Sequence, residues 1–207
     1  KVKFFMARYT GAKLRITRRL GDLPGFTSKK SKSTQRPGQH GATRNKLTQY
    51  AIRLEEKQKL RFNYGLSEKQ LMNYIKQAKN FKGAAGNILL QLLEMRLDNV
   101  VFRLGMAPTI AAARQLVGHK HIMINNSCVS IPSYQCQPGD ILTIKDSPAS
   151  KKLAETNLNL PAFSNTPPHL EFDRKTLSGK ILGIISREWV ALKLNELFVI
   201  EFYSRKI

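Results

Sequence analysis

Acidic residues, cysteines and long apolar runs are all scarce in this sequence, and each shortage removes a class of protein. Cysteine occurs twice, at Cys128 and Cys136, too rarely and too late for a disulfide framework or a four-ligand zinc site. A reducing compartment is the simpler setting. The histidines, His40, His119, His121 and His169, are scattered, and none stands at metal-ligand spacing from a cysteine, so no structural metal is expected. No apolar run approaches the roughly 18–20 residues that span a bilayer. The opening Lys1-Val2-Lys3-Phe4-Phe5 is basic but lacks the apolar stretch of a secretory signal. Acids number 14 against 35 Lys and Arg, a formal charge of +21.

What is present is enough to fold. A 207-residue chain that is 42% hydrophobic can bury a core, and its surplus positive charge must meet a polyanion, either nucleic acid or an anionic membrane surface. The charge is uneven. Residues 1–61 hold 17 Lys/Arg and 3 Asp/Glu, while 62–207 hold 18 and 11. Between 6 and 46 there is no sustained hydrophobic period, and Gly21, Pro24-Gly25, Pro37-Gly38 and Gly41 punctuate the chain. This part reads as a basic extended segment, 1–46, separable from the core. Arg8, Lys13, Arg15, Arg18, Arg19, Lys29 and Lys30 are interleaved there with Tyr9, Leu14, Ile16, Leu20 and Phe26. That mixture suggests a segment that becomes ordered on its partner.

From 47 the period changes. Leu47, Tyr50, Ala51 and Leu54 fall at i, i+3, i+4 and i+7, with Thr48 near the start and Gly65 beyond the end, which predicts a helix. The same helix aligns Arg53, Lys57 and Arg61 four apart. Like charges at that spacing oppose the helix unless an anion faces them, so phosphate contact is expected along this ridge. A second helix is bounded by Ser67 and Gln70 as a capping box, with Leu66 and Leu71 as the staple, and carries Leu71, Tyr74, Ile75 and Ala78 on one face. Gly83-Ala84-Ala85-Gly86 precedes a third helical run over 88–93 and is read as a turn, not a nucleotide site.

Residues 96–144 form the most specific stretch. Leu97, Val100, Val101 and Leu104 make one helical stripe, and Arg96, Asn99 and Arg103 a second face expected to be free to bind. Gly105 stops that helix. Thr109 opens another, with Ile110, Ala113, Leu116 and Val117 on its apolar side. Short strands are expected at 121–125, 128–131 and 141–144, with turns at Asn125-Asn126 and Pro138-Gly139-Asp140.

The string Leu93-Glu94-Met95-Arg96-Leu97-Asp98-Asn99-Val100-Val101-Phe102-Arg103-Leu104-Gly105, with Thr109, Ala113-Arg114-Gln115-Leu116-Val117 and His119, resembles the RNA-binding domain of the ribosomal S-four family. Met6-Ala7-Arg8-Tyr9, Leu54-Glu55-Glu56-Lys57-Gln58-Lys59-Leu60-Arg61 and Val199-Ile200-Glu201-Phe202-Tyr203-Ser204 resemble other parts of that family, so the likeness covers nearly the whole chain. It implies an α+β fold: a helical domain (47–95 and 174–207) with an inserted RNA-binding domain (96–173), a helix pair with a small β-rich cap.

The same resemblance implies a primary binder of 16S-type ribosomal RNA that nucleates the 5′ domain. It would later sit near the messenger RNA entry path beside proteins S-five and S-three. It carries RNA contact over to Arg96, Arg103, Arg114, His119, Lys120 and His121, with no cofactor. Departures are the absence of the four N-terminal cysteines that hold zinc in some relatives, Asn126 where glycine is common, and five residues ahead of Met6. The wording around Pro167-Pro168-His169-Leu170 is nearest to plastid or cyanobacterial versions, which points to a plastid ribosome, with the bacterial cytoplasm as the alternative.

Beyond 144 the signals thin. Residues 156–169 read as a loop, Leu170-Glu171-Phe172-Asp173 as a strand, and 197–203 as a helix capped by Asn195, a choice the resemblance decides over a strand. The rival functions are an RNA-modifying enzyme or a ribosome-associated factor carrying the same RNA-binding domain. The enzyme lacks any Walker loop, Gly-x-Ser-x-Gly elbow or His-Glu-x-x-His motif in the sequence, and Glu94, Asp98 and Asp140 read as helix-surface or turn residues. A membrane-surface protein would want one helix with a large apolar face instead of charges preceding a packed multi-helix core.

Overall fold

The computed structural model describes residues 9–33, 35–42, 46–158 and 166–204. Its first element corrects the reading of the basic segment as extended: Lys13–Leu20 form helix α1, closed by Gly21 at φ 89°, whose amide donates to the Thr17 carbonyl. Isolated, so short a helix is marginal. Docked, it brings Leu20 into the core, and Leu23 and Phe26 follow. Gly25 lies so close to its neighbours that a Cβ there would come within 2.5 Å of Ile110 Cδ1 and 2.8 Å of the Asn63 carbonyl. Its amide donates to Asn63 Oδ1 at 2.9 Å and its carbonyl accepts from the Ile110 amide at 2.9 Å.

Helix α2 (Gln49–Asn63) begins where Thr48 accepts from the Ala51 amide, and α3 (Glu68–Asn80) begins at the expected capping box of Ser67 and Gln70. The stripe read on α2 is corrected, because Leu47 is exposed and Tyr50 is 62% exposed, whereas Lys57, Leu60 and Asn63 are buried. The inner face lies one third of a turn away, set by elements remote in sequence. Helix α4 (Ala85–Glu94) packs on α3, and Met95 and Arg96 separate it from α5 (Leu97–Arg103). Thr109 caps α6 (Ile110–Gly118) through the Ala112 amide.

Strands β1 (Ile122–Ile124), β2 (Ser127–Cys128) and β3 (Ile141–Ile144) follow. Helix α7 (Pro148–Leu158) runs into the stretch read as a loop from 156, and corrects its start; residues 159–165 lie outside the described part. Strand β4 (Leu170–Asp173) is as expected. Strand β5 (Ser178–Ile181) is an addition, and it joins β3 to β4 in an antiparallel sheet of order β2-β1-β3-β5-β4. The boundary at 173 therefore falls in the β4–β5 turn, and the sheet continues through Ile181. Gly179 sits over α5, where a Cβ would meet Leu104 Cδ1 at 2.5 Å. Asn125 and Asn126, at φ 48° and 65°, make the β1–β2 turn in the left-handed region that Asn tolerates.

The expected strand at 128–131 is cut to β2 because the chain then turns and lies along the α4–α5 junction. The amides of Leu97, Asp98 and Cys136 bond the carbonyls of Tyr134, Pro132 and Met95 there. Helix α8 (Glu196–Ser204) starts where Asn195 Oδ1 accepts from the Leu197 amide, and packs on α2 and α4. One hydrophobic cluster runs from Leu20 through Leu60, Leu93, Val101 and Leu142 to Tyr203, joining both expected domains and the basic segment.

Candidate nucleic-acid interface

The arginines of the expected binding face are turned inward. Arg96 is 3% exposed. It donates through Nε and Nη2 to Asp98 at 3.0 and 2.8 Å, and through Nη1 to the Tyr74 hydroxyl at 2.6 Å. Arg114 donates to the same carboxylate at 2.7 Å and reaches the carbonyls of Tyr64 and Gly65. Arg103 holds Glu94 through Nε at 3.0 Å and Nη2 at 2.8 Å. Glu94 also accepts from Asn99 and from the Tyr64 hydroxyl.

Both carboxylates are 1% exposed, which corrects the surface reading of Glu94 and Asp98. Buried charge is tolerated only when paired and hydrogen-bonded, and here it is. Burial opposes the charged form of Arg96 and Arg103, but Asp98 and Glu94 outweigh it and raise both pKa values. Burial, then the charge of Glu94, pushes the Tyr64 hydroxyl far above its ordinary range. Arg96, Arg103, Arg114 and Asn99 therefore fasten α5 to its neighbours, and the expectation of a free face is corrected.

The ridge on α2 also finds its anions within the chain. Arg53 bonds Glu201 at 2.6 Å, and Lys57, itself buried, donates to Glu68 at 2.9 and 3.0 Å and lies over the Phe202 ring. Arg61 donates to the Leu66 carbonyl and to Gln58. Burial raises Glu68, but its bonds from Tyr203 and Lys57 more than offset this and hold it below the usual carboxylate value. The anions that face Arg53 and Lys57 are carboxylates from α8 and α3, which corrects the phosphate expected at these two, whereas Arg61 bonds only neutral groups among the described residues.

The basic segment is mixed. Lys13 bonds the Phe26 carbonyl and lies over its ring, and Arg18 bonds the Gln35 and Arg36 carbonyls. Arg15, Arg19, Lys29 and Lys30 are exposed, with no carboxylate partner among the described residues; Arg8 lies outside them.

The other open basic edge is the α6–β1 corner. His119 and Lys120 are exposed, and Lys120 stands at φ 63°, where the backbone reverses. His121 is half-buried, its Nδ1 2.8 Å from Ser150 Oγ, with the two imidazole centroids 6.1 Å apart. The Lys145 amide bonds the His121 carbonyl at 2.8 Å, which sets a second exposed lysine beside the first. The corner thus offers cations and imidazole faces, and Asp146, the acid that follows Lys145, is taken up by Lys151. That donor set suits phosphate and base edges.

Comparisons with known proteins decide the family. Residues 8–94 match the model of the ribosomal protein S4/S9 N-terminal domain, and 95–142 match that of the S4 domain. The small ribosomal subunit protein uS4c of Emiliania huxleyi is 74% identical over 202 residues, covering 98% of this chain and all of the relative. The chain belongs to the uS4 family. It is also similar to uS4 of a Picosynechococcus strain, 62% identical over 97% of this chain and 99% of the relative, and to uS4c of Cyanophora paradoxa, 64% identical over 97% of this chain and all of the relative.

In this uS4 chain two features escaped the sequence reading. One is the Glu94 hub, although its signal was present: a single acid closing the apolar run Ile88-Leu89-Leu90-Gln91-Leu92-Leu93 is a buried acid awaiting a partner. The other is Lys145, which only the pairing of β1 with β3 brings to the corner.

Proposed function

We propose that this chain is a structural constituent of the small ribosomal subunit of plastids. It acts by binding 16S-type ribosomal RNA and has no catalytic turnover, and it lies in the stroma as the uS4c relatives suggest. It is a primary binder that nucleates the 5′ domain of that RNA and afterwards sits near the messenger RNA entry path, beside proteins S-five and S-three. The contacts are made by the exposed cations of the basic segment, Arg15, Arg19, Lys29 and Lys30, and by the corner of His119, Lys120 and His121.

The observation that carries this reading is the fate of the acids. Glu56, Glu68, Glu94, Asp98 and Glu201 are all spent on other cations of the chain, so Arg15, Arg19, Lys29, Lys30 and Lys120 are left without carboxylate partners among the described residues. A Lys contact to phosphate releases counterions, and each one steepens the salt dependence of binding by close to one unit. The test is filter binding to a small-subunit RNA 5′-domain fragment across a salt series. Affinity is expected to fall steeply with salt, and Lys120→Gln to flatten the log–log slope by about one unit. A flat wild-type response defeats the electrostatic account.

A further inference from the structure

Helix α3 carries a basic face that the interface above does not use. Lys69, Asn73, Lys76 and Asn80 recur at i, i+4, i+7 and i+11 and are all exposed, with Lys79 beside them and Lys82 just past the helix end. The row is about 16 Å long at the rise of an α-helix. Every cation on it is free of carboxylate partners among the described residues. The one acid of α3, Glu68, is turned the other way, to Lys57 and Tyr203, and residues 69–93 contain no acid at all.

This contrasts with α2, whose Arg53, Lys57 and Lys59 are each neutralised by the chain itself. At the end of the row Phe81 is 58% exposed, between Lys79 and Lys82. Packing does not require an aromatic ring there: α3 buries Leu71, Ile75 and Ala78 on its opposite side.

We propose that this face is a second RNA surface: Lys69, Lys76 and Lys79 track the phosphate backbone, and Phe81 is a platform on which an unpaired base stacks where the backbone leaves the helix. Free lysines and amide side chains in a row fit phosphate oxygens without reading sequence. An exposed ring among lysines is the pattern that binds single-stranded bases through their faces. The inference rests on the ribosomal RNA reading and adds to it a surface and the kind of RNA it takes, a strand leaving paired structure.

Two variants of the full chain test it against the 5′-domain fragment. Changing Lys69, Lys76 and Lys79 together to Gln keeps helix propensity, so melting is expected to hold while the salt slope flattens by about two to three units. Phe81→Ala is expected to weaken binding about tenfold with the slope unchanged, since stacking releases no counterions. A wild-type chain that fails to bind the fragment overturns the ribosomal RNA reading itself, and this surface with it. A wild-type chain that binds steeply, with both variants matching it in slope and affinity, overturns the α3 surface alone. So does a triple variant that binds RNA normally yet is lost from assembled subunits, which marks the face as a contact for an acidic protein.

Discussion

Asp98 holds Arg114 at 2.7 Å, and the bond ties α6 to α5 while Arg114 reaches on to the carbonyls that end α2. One carboxylate thus links the inserted part of the chain to the helical part. Asp98→Asn leaves Arg96 and Arg114 without a counter-charge in a buried site, and breaking such a pair costs about 3–5 kcal/mol. Urea unfolding is expected to register that loss. Replacing Arg96, Arg103 and Arg114 together by Gln should likewise lower stability, with the salt slope of RNA binding kept. A triple variant that melts like wild type and binds RNA weakly would return these arginines to the interface.

Gly179 gives a packing prediction. A methyl group there runs into Leu104, a buried side chain in contact with the sheet. Overpacking of this kind costs about 1–3 kcal/mol. Gly179→Ala should lower the melting temperature, and adding Leu104→Ala should cost less than the sum of the two single losses, because the shorter side chain relieves the clash and the new methyl group fills part of the space it leaves. Strict additivity in that cycle contradicts the contact.

His169 makes stability depend on pH. It is buried, and neither ring nitrogen has a partner among the described residues. Burial lowers its pKa; Glu94 opposes this and Arg103 adds to it. The folded imidazole takes up its proton at lower pH than the unfolded one, which does so near about 6.5. Its contribution to stability is therefore complete above that pH and falls as the pH drops below it toward the depressed folded value. Between pH 7 and pH 5 the melting temperature of wild type should fall more steeply than that of His169→Leu. Parallel curves for the two proteins rule the effect out.

Removing residues 1–46 should weaken the fold as well as RNA binding. The cut takes Leu20, Leu23 and Phe26 out of the core and leaves Asn63 without the Gly25 amide. Each buried apolar side chain is worth about 1.5–3 kcal/mol, so a melting loss well beyond measurement error is expected. An unchanged melting temperature would restore the separable tail.

Local chemistry was legible, and partnership at a distance was not. The Ser67–Gln70 capping box, the Thr109 cap, the Asn125-Asn126 turn and the stop at Gly105 depend on neighbours a few residues away, and all are found where the sequence places them. Whether Arg96 faces RNA or Asp98 is decided by which helices crowd its face, and a periodic pattern carries no such information. Lys57 is the sharper case. Its spacing with Arg53 and Arg61 correctly demands an anion, but Glu68 arrives from the start of α3 and Glu201 from α8, more than a hundred residues away. In the candidate site the corner at Lys120 was readable because it is a continuous tripeptide, whereas Lys145 was hidden because strand pairing delivers it.

The closure of α2 by α8 also bears on the order of synthesis. Lys57, Leu60 and Tyr64 emerge early, yet Phe202, Tyr203 and Glu201, which cover that end of the core, are made some 140 residues later. The inserted helix pair has its own partners in hand before then, and its sheet is complete once β5 ends at Ile181, shortly ahead of α8. A nascent chain thus carries early helices that wait, with an apolar flank open to chaperones and Arg53 still lacking Glu201, until α8 leaves the exit tunnel.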